Sequence, residues 1–258
     1  MCFKRNTPAP ITSKFVFLGF AINNYQGSSN DLRGCINDIE DEIKKLKREL
    51  PEFQCLKYFD SQVTTQFFVE EIQRVMSALP EDGRLYIKYS GHGTQIPTNI
   101  EASGYHEALY LYNGPLIDDE IYKLQKQTPL GMRVLAKFDS CFAGGMNEKA
   151  FANPCYRKAR FMQLQGVPLM HNPVNRLAKT DDGQRWIIYA GCGQEQTSAD
   201  AMFNGRANGA FTFYDLQSYG RGTAHLDELY AVRKLLFNYS FPQLPELSGP
   251  YEEQTFYV

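Results

Sequence analysis

Apolar residues recur in two rhythms along this chain. Residues 15–22 form an unbroken apolar run bounded by turn residues, the pattern of a strand buried on both faces. After a polar loop over 23–30, apolar residues fall at Ile36, Ile39, Ile43, Leu46 and Leu50. Those intervals of three and four describe one face of a helix, with Asp, Glu, Lys and Arg opposite and Pro51 marking its end. Residues 53–59 read as a second strand, and 64–79 as a second amphipathic helix capped by Thr64 or Thr65. Asp82-Gly83 makes a tight turn into the apolar stretch 84–88. A helix is predicted over 116–127, with Asp118, Asp119 and Glu120 loading its first turn against the helix dipole. A strand over 134–138 follows.

From 142 to 184 the periodicity disappears and Arg, Lys, Asn and Pro accumulate. A stretch that long without regular structure is uncommon inside a compact domain and is usually functional or mobile. An apolar strand over 186–190, an ordered stretch over 209–219 and a helix over 226–236 complete the pattern. Residues 1–13, polar and proline-bearing, read as a loose arm, which leaves one domain over 14–258. Strands alternating with helices predict an α/β/α sandwich, a mostly parallel sheet with helices on both faces. In such sheets the functional crevice lies at the carboxyl ends of the strands.

Composition narrows the function. A formal net charge of −2 gives no electrostatic reason to expect nucleic acid or an anionic membrane as partner, and no stacking motif of a nucleic-acid binder is found. Cys2, Cys35, Cys55, Cys141, Cys155 and Cys192 lack the CxxC spacing of a structural zinc site. The run over 15–22 is too short for a membrane span or a secretory signal and follows a polar, proline-containing leader. A reduced cytoplasmic setting is the expectation.

Two predicted strand ends each release a reactive residue into a glycine-flanked turn. One is Tyr89-Ser90-Gly91-His92-Gly93, and the other is Asp139-Ser140-Cys141-Phe142-Ala143-Gly144-Gly145. A thiol is only fractionally ionised near neutral pH, so a nucleophilic Cys needs an imidazole to make or hold the thiolate. His92 and Cys141 are therefore the candidate base and nucleophile of thiol-based acyl transfer. The backbone N–H groups of Gly93 and Cys141 are the candidate oxyanion donors. Gly91 and Gly93 are expected to leave room for substrate backbone. Either residue alone would read as a buried core thiol or a turn residue; at matching strand ends they read as a pair.

These blocks resemble the catalytic blocks of the metacaspases and their bacterial relatives in the caspase-like peptidase superfamily. Leu32-Arg33-Gly34-Cys35-Ile36-Asn37-Asp38 resembles a third block of that family, and the segment from Ala190 to Asp200 a fourth. Phe142 stands where the family has His or Tyr, and Ala143 where Ser is common. The last ~40 residues match no motif. The resemblance implies a caspase-like α/β/α fold and a monomeric cysteine endopeptidase acting on protein or peptide substrates. It also implies an acidic pocket for Arg or Lys before the scissile bond, formed by Cys35, Asp38, Ser90 and Asp139. Two carboxylates and a hydroxyl can hold a guanidinium by charge-assisted hydrogen bonds and would repel an Asp side chain.

By the same resemblance Asp118 and Asp119 could bind calcium, although helix capping also accounts for them. Glu107 and Glu148 do not complete the six to eight oxygen ligands cleanly. No cofactor is required for the chemistry itself. Thr197, Ser198 and Asp200 are expected to shape the rim of the cleft, and Cys192 to be a packed thiol. A catalytically silent interaction module, or a peptide ligase using the same acyl-enzyme, are the competing readings. Self-cleavage is expected at one or more of Arg157, Lys158, Arg160, Arg176 and Lys179, centred on 156–160.

Overall fold

The computed structural model describes residues 9–27, 29–50, 52–99, 104–141, 157–165, 185–193, 196–250 and 255–257. Its centre is a six-stranded sheet built from β1 (Phe15–Ala21), β2 (Gln54–Phe59), β3 (Arg84–Ser90), β7 (Arg133–Asp139), β9 (Trp186–Ala190) and β12 (Glu246–Ser248). The order is β12-β9-β7-β3-β1-β2; all neighbours are parallel except β12, which runs antiparallel along β9. The predicted mostly parallel sheet is observed, and β3 and β7 lie at its middle.

The period-two alternation of strands sorts the helices to two faces. On one face, Phe20 of β1 and its register partner Tyr89 of β3 meet Phe68 of α2 (Thr65–Ala78). Trp186 of β9 donates its indole N–H to Thr128, which ends α3 (Asp118–Gln127) on that same side. On the other face, Gly19 lies so close to Ile39 of α1 (Cys35–Glu49) that a Cβ there would clash. Helices α4 (Ala210–Ser218) and α5 (His225–Asn238) share this second face, with α5 tied to Tyr189 of β9. Thr64 caps α2 through a hydrogen bond from the Phe67 N–H, and Leu50 closes α1 just before Pro51.

Several sequence expectations are corrected. Residues 116–117 belong to a strand, β6 (Gly114–Ile117), so the helix begins at Asp118. The ordered stretch over 209–219 is helical only from Ala210 to Ser218, as α4. The buried face of α1 is not purely apolar: Asp38 and Glu42 sit on it beside Cys35, Ile39, Ile43 and Leu46. They are four residues apart and meet Ser90 and Lys88, alternate residues of β3. Residues 9–13 are not a loose arm, because Gln54 binds the Pro10 carbonyl and the Thr12 N–H, and Arg74 binds the Ala9 carbonyl. The 142–184 stretch is not irregular throughout, because it holds β8 (Arg157–Ala159); Gly144, Gly145, Glu148, Arg176 and Lys179 lie outside the described residues.

Two small antiparallel sheets flank the carboxyl ends of the main one. They are β4 (His92–Pro97) with β5 (Tyr105–Leu111) and β6 (Gly114–Ile117), and β8 with β10 (Ala199–Phe203) and β11 (Arg206–Gly209). Among the described residues no helix is long and apolar enough to cross a membrane.

Candidate active site

The site grows directly from the register of the central strands. Ser90 and Asp139 are paired residues at the carboxyl ends of β3 and β7, so their side chains leave the sheet together on the α1 face. One residue later the chain turns at Gly91 and starts β4 with His92; Cys141 follows Asp139 by two. Gly93 is required by the protein itself rather than by substrate, since a Cβ there would collide with the Cys141 carbonyl oxygen. Gly91 is likewise hemmed in by the Tyr89 and Tyr25 hydroxyls. The glycines thus let the two functional turns touch.

Cys141 and His92 are both buried. The Ser198 N–H donates to Cys141 Sγ at 2.6 Å, and the thiol faces the Ser198 carbonyl at 3.1 Å. Burial pushes the Cys141 thiol well above its ordinary range, and the neighbouring Cys192 thiol adds to this. His92 Nε2 lies 2.6 Å from the Asn30 carbonyl oxygen, which fixes the proton on Nε2 and leaves Nδ1 as the basic nitrogen. Nδ1 makes no hydrogen bond among the described residues. Burial lowers the imidazole to about 4, opposed by the Asn30 carbonyl and reinforced by the charge of Lys158. Thiol and imidazole are therefore both neutral in this arrangement.

Arg160 meets both functional turns. Its backbone carbonyl accepts from the Gly93 N–H at 2.9 Å and from the Cys141 N–H at 3.2 Å. Its side chain, fully buried, runs into the pocket below. Nη1 donates to Ser90 Oγ at 2.6 Å and to the Asp139 carbonyl at 3.1 Å. Nη2 donates to Asp38 at 2.7 Å and to Asp200 at 3.0 Å, and Asp139 Oδ1 lies 3.3 Å from Nη1. Burial pushes the Asp38 carboxyl up to about 6 against the pull of Arg160. For Asp139 burial is outweighed by Arg160, Lys88 and the Ser198 and Thr212 hydroxyls, so its carboxyl falls below the ordinary range. The buried Cys35 thiol is raised well above its ordinary range by burial and feels the Arg160 charge beside Ser90.

All four pocket residues expected from the sequence, Cys35, Asp38, Ser90 and Asp139, thus surround one guanidinium. Both expected oxyanion donors bind one carbonyl. Asp200 is a wall of the pocket rather than its rim, holding the Arg33 and Gly34 N–H groups and Arg160 at once. Ser198 was also undervalued, since its backbone holds the Cys141 thiol and its carbonyl accepts the Arg160 N–H at 3.0 Å. The signal for both was their block, Gln196-Thr197-Ser198-Ala199-Asp200, which gave no geometry on its own. Cys192 is buried as expected, its thiol directed at the Ser140 and Gln196 carbonyls.

Asp118 and Asp119 open α3, with His106 Nδ1 3.6 Å from Asp118. Ligand atoms of these three residues lie within 4.8 Å of one another. Two carboxylates and an imidazole are three donors, one of them nitrogen, against six to eight oxygens for calcium. The described groups do not by themselves make a calcium site.

The sequence profile of the family described as Metacaspase, peptidase C14 domain, matches residues 18–149. Metacaspase-2 of Trypanosoma brucei brucei is 30% identical over 274 residues, covering 94% of this chain and 75% of the relative. The chain belongs to the metacaspase family. Metacaspase-1 of Schizosaccharomyces pombe is 27% identical over 277 residues, and this chain spans 65% of that relative's length; for Metacaspase-5 of Trypanosoma brucei brucei the share is 52%. Among solved structures, a protein from Geobacter sulfurreducens superposes with a TM-score of 0.68 at 24% identity, covering 91% of this chain and 92% of the other. Caspase-1 from Spodoptera frugiperda gives 0.61 at 13% identity, covering 96% and 92%. The fold of this metacaspase-family chain is caspase-like.

Proposed function

We propose that this chain is a cysteine endopeptidase that cuts after Arg or Lys, with Cys141 as nucleophile and His92 as base. The observation that carries this reading is the placement of Arg160, with its guanidinium among Asp38, Ser90, Asp139 and Asp200 and its carbonyl on the Gly93 and Cys141 N–H groups. A pocket with three carboxylates takes a guanidinium or ammonium and repels an acidic residue.

In the reaction, the Cys141 thiol leaves its resting contact with Ser198 and passes its proton to His92 Nδ1, the nitrogen left basic by the Asn30 contact. Sulfur attacks the carbonyl carbon of the basic residue. The negative charge that forms on oxygen meets the two N–H donors already aimed there, which act on charge present only in the transition state. The C–N bond breaks, the amine leaves with the proton returned by His92, and an acyl-enzyme remains. Water, deprotonated by His92, attacks the thioester and releases the acid and the free thiol.

The test is titration of the active site with an irreversible thiol reagent together with turnover of an Arg peptide. One equivalent of reagent should abolish turnover. A chain that titrates but never turns over would be a silent module, and mass analysis showing joined rather than hydrolysed peptides would make it a ligase.

A further inference from the structure

Arg160 is one residue of a longer ligand-like strand. β8 adds antiparallel to β10, with Ala159, Lys158 and Arg157 opposite Ala199, Asp200 and Ala201. Beyond the Arg160 carbonyl, Phe161 bridges to Gly93, the Met162 N–H donates to the Gly93 carbonyl at 2.8 Å, and the Thr94 hydroxyl donates to the Met162 carbonyl at 2.7 Å. Backbone pairing along an exposed strand edge is a common mode of peptide recognition; the backbone gives affinity and pockets for the side chains give selectivity.

Those side chains report what the walls select. Lys158, two residues before Arg160, donates from Nζ to the Ser29 and Asp31 carbonyls, both at 2.7 Å. Arg157 lies with its guanidinium 4.3 Å above the Phe241 ring and within 3.4 Å of the Ser240 carbonyl. Carbonyl oxygens and an aromatic face attract cations and offer nothing to a carboxylate. Phe241 is itself fixed, packed between Phe203 and Tyr214. Every one of these partners belongs to elements outside the 157–162 strand, so they stay in place for another peptide.

Resting on the reading of the cleft as a peptidase site, we infer that it carries two further cation-binding subsites. The Ser29 and Asp31 carbonyls receive the side chain two positions before the cleaved residue, and the Phe241 face with the Ser240 carbonyl receives the one three positions before it. Preferred substrates therefore carry Lys or Arg at P3 and P4 as well as at P1.

The experiment uses four peptides with a fluorogenic amide after a common Arg: Arg-Lys-Ala-Arg, Ala-Lys-Ala-Arg, Arg-Ala-Ala-Arg and Ala-Ala-Ala-Arg. They are assayed on the wild-type protein and on Arg160→Gln, in which the chain's own strand has lost its anchor. Each Ala replacement should lower kcat/KM by about three- to thirtyfold. Phe241→Leu, which keeps apolar volume but removes the ring face, should erase the P4 difference and leave the P3 difference. Equal kcat/KM for all four peptides would overturn the subsites while leaving the P1 assignment standing. Absence of hydrolysis of any of them would overturn the peptidase reading instead. The subsites are then judged by binding of fluorescently labelled Arg-Lys-Ala-Arg and Ala-Ala-Ala-Arg to the Cys141→Ala, Arg160→Gln protein, where equal affinity refutes them and tighter binding of the basic peptide supports them.

Discussion

At the scale of the residue, the reactive pair is at rest while Arg160 occupies the cleft. The imidazole, held to about 4, is neutral above pH 5, and burial keeps the thiol protonated well into the alkaline range. No imidazolium is present at pH 7 to support a thiolate, so alkylation of Cys141 by iodoacetamide should be slow there and rise only with alkali. Arg160→Gln loosens the strand that covers the pair and lets water in, which relieves the burial that lowers the imidazole and raises the thiol, and it also removes a cation that lowers the imidazole. Alkylation at pH 7 should then increase by about tenfold for each unit the thiol falls. Cys141→Ala should abolish peptide hydrolysis, and His92→Ala should lower it by about a thousandfold, as expected for two members of one unit. Asp38→Ala should cost about 2–5 kcal/mol of transition-state binding to Arg substrates, read from kcat/KM. His92, Cys141 and the four candidate pocket residues were legible because each sits in a short block, at the ends of β3 and β7 or in the first turn of α1. Asp200 was not, because its place in the pocket depends on Arg33, Gly34 and Arg160, brought together only by folding.

At the scale of the element, β8 leads the chain into the cleft and places Arg160 there. Its strand pairing and the Arg160 anchor present the Arg160–Phe161 peptide bond across the oxyanion donors. Wild-type protein is expected to cut itself after Arg160, giving two fragments by intact mass. Cys141→Ala and Arg160→Gln proteins should stay whole at this bond over the same incubation. Fragments of the same mass from the Cys141→Ala protein would assign the cut to a contaminant. Long periodic elements such as α1 and α2 were readable within a residue or two, since their own side-chain spacing specifies them. β8 was hidden among charges because a three-residue strand is specified by its partner β10 and by the cleft, not by its own pattern. The helical periodicity alone puts Glu42 on the solvent face for a related reason: only the facing Lys88 of β3 explains why α1 buries it.

At the scale of the whole molecule, buried charge ties the last third of the chain to the sheet. Lys88 and Lys137 are register partners on β3 and β7, on the same face as the pocket, and both are fully buried. Lys137 reaches Asp215 of α4 at 2.7 Å and Glu228 of α5, and lies over the Tyr219 ring. Lys137→Met leaves two carboxylates without their cation and should lower stability by about 3–5 kcal/mol in urea denaturation. This network was invisible in the sequence, since its members come from four distant segments. The same holds for the final residues, which match no motif yet supply β12 and the buried Phe256 and Tyr257. The mostly parallel character of the sheet followed from the alternation of strands and helices, and with it the cleft at the strand ends, whereas the strand order came only with the fold. The central proposal is that Cys141 attacks the carbonyl carbon of a basic residue. Its most direct test is kcat/KM for peptides identical except for Arg, Lys or Asp before the scissile bond, on wild-type and Cys141→Ala protein. The account predicts turnover of the Arg and Lys peptides by the wild type, none of the Asp peptide, and none of any by Cys141→Ala. Equal cleavage after Arg and Asp, or near-normal turnover by Cys141→Ala, would contradict it.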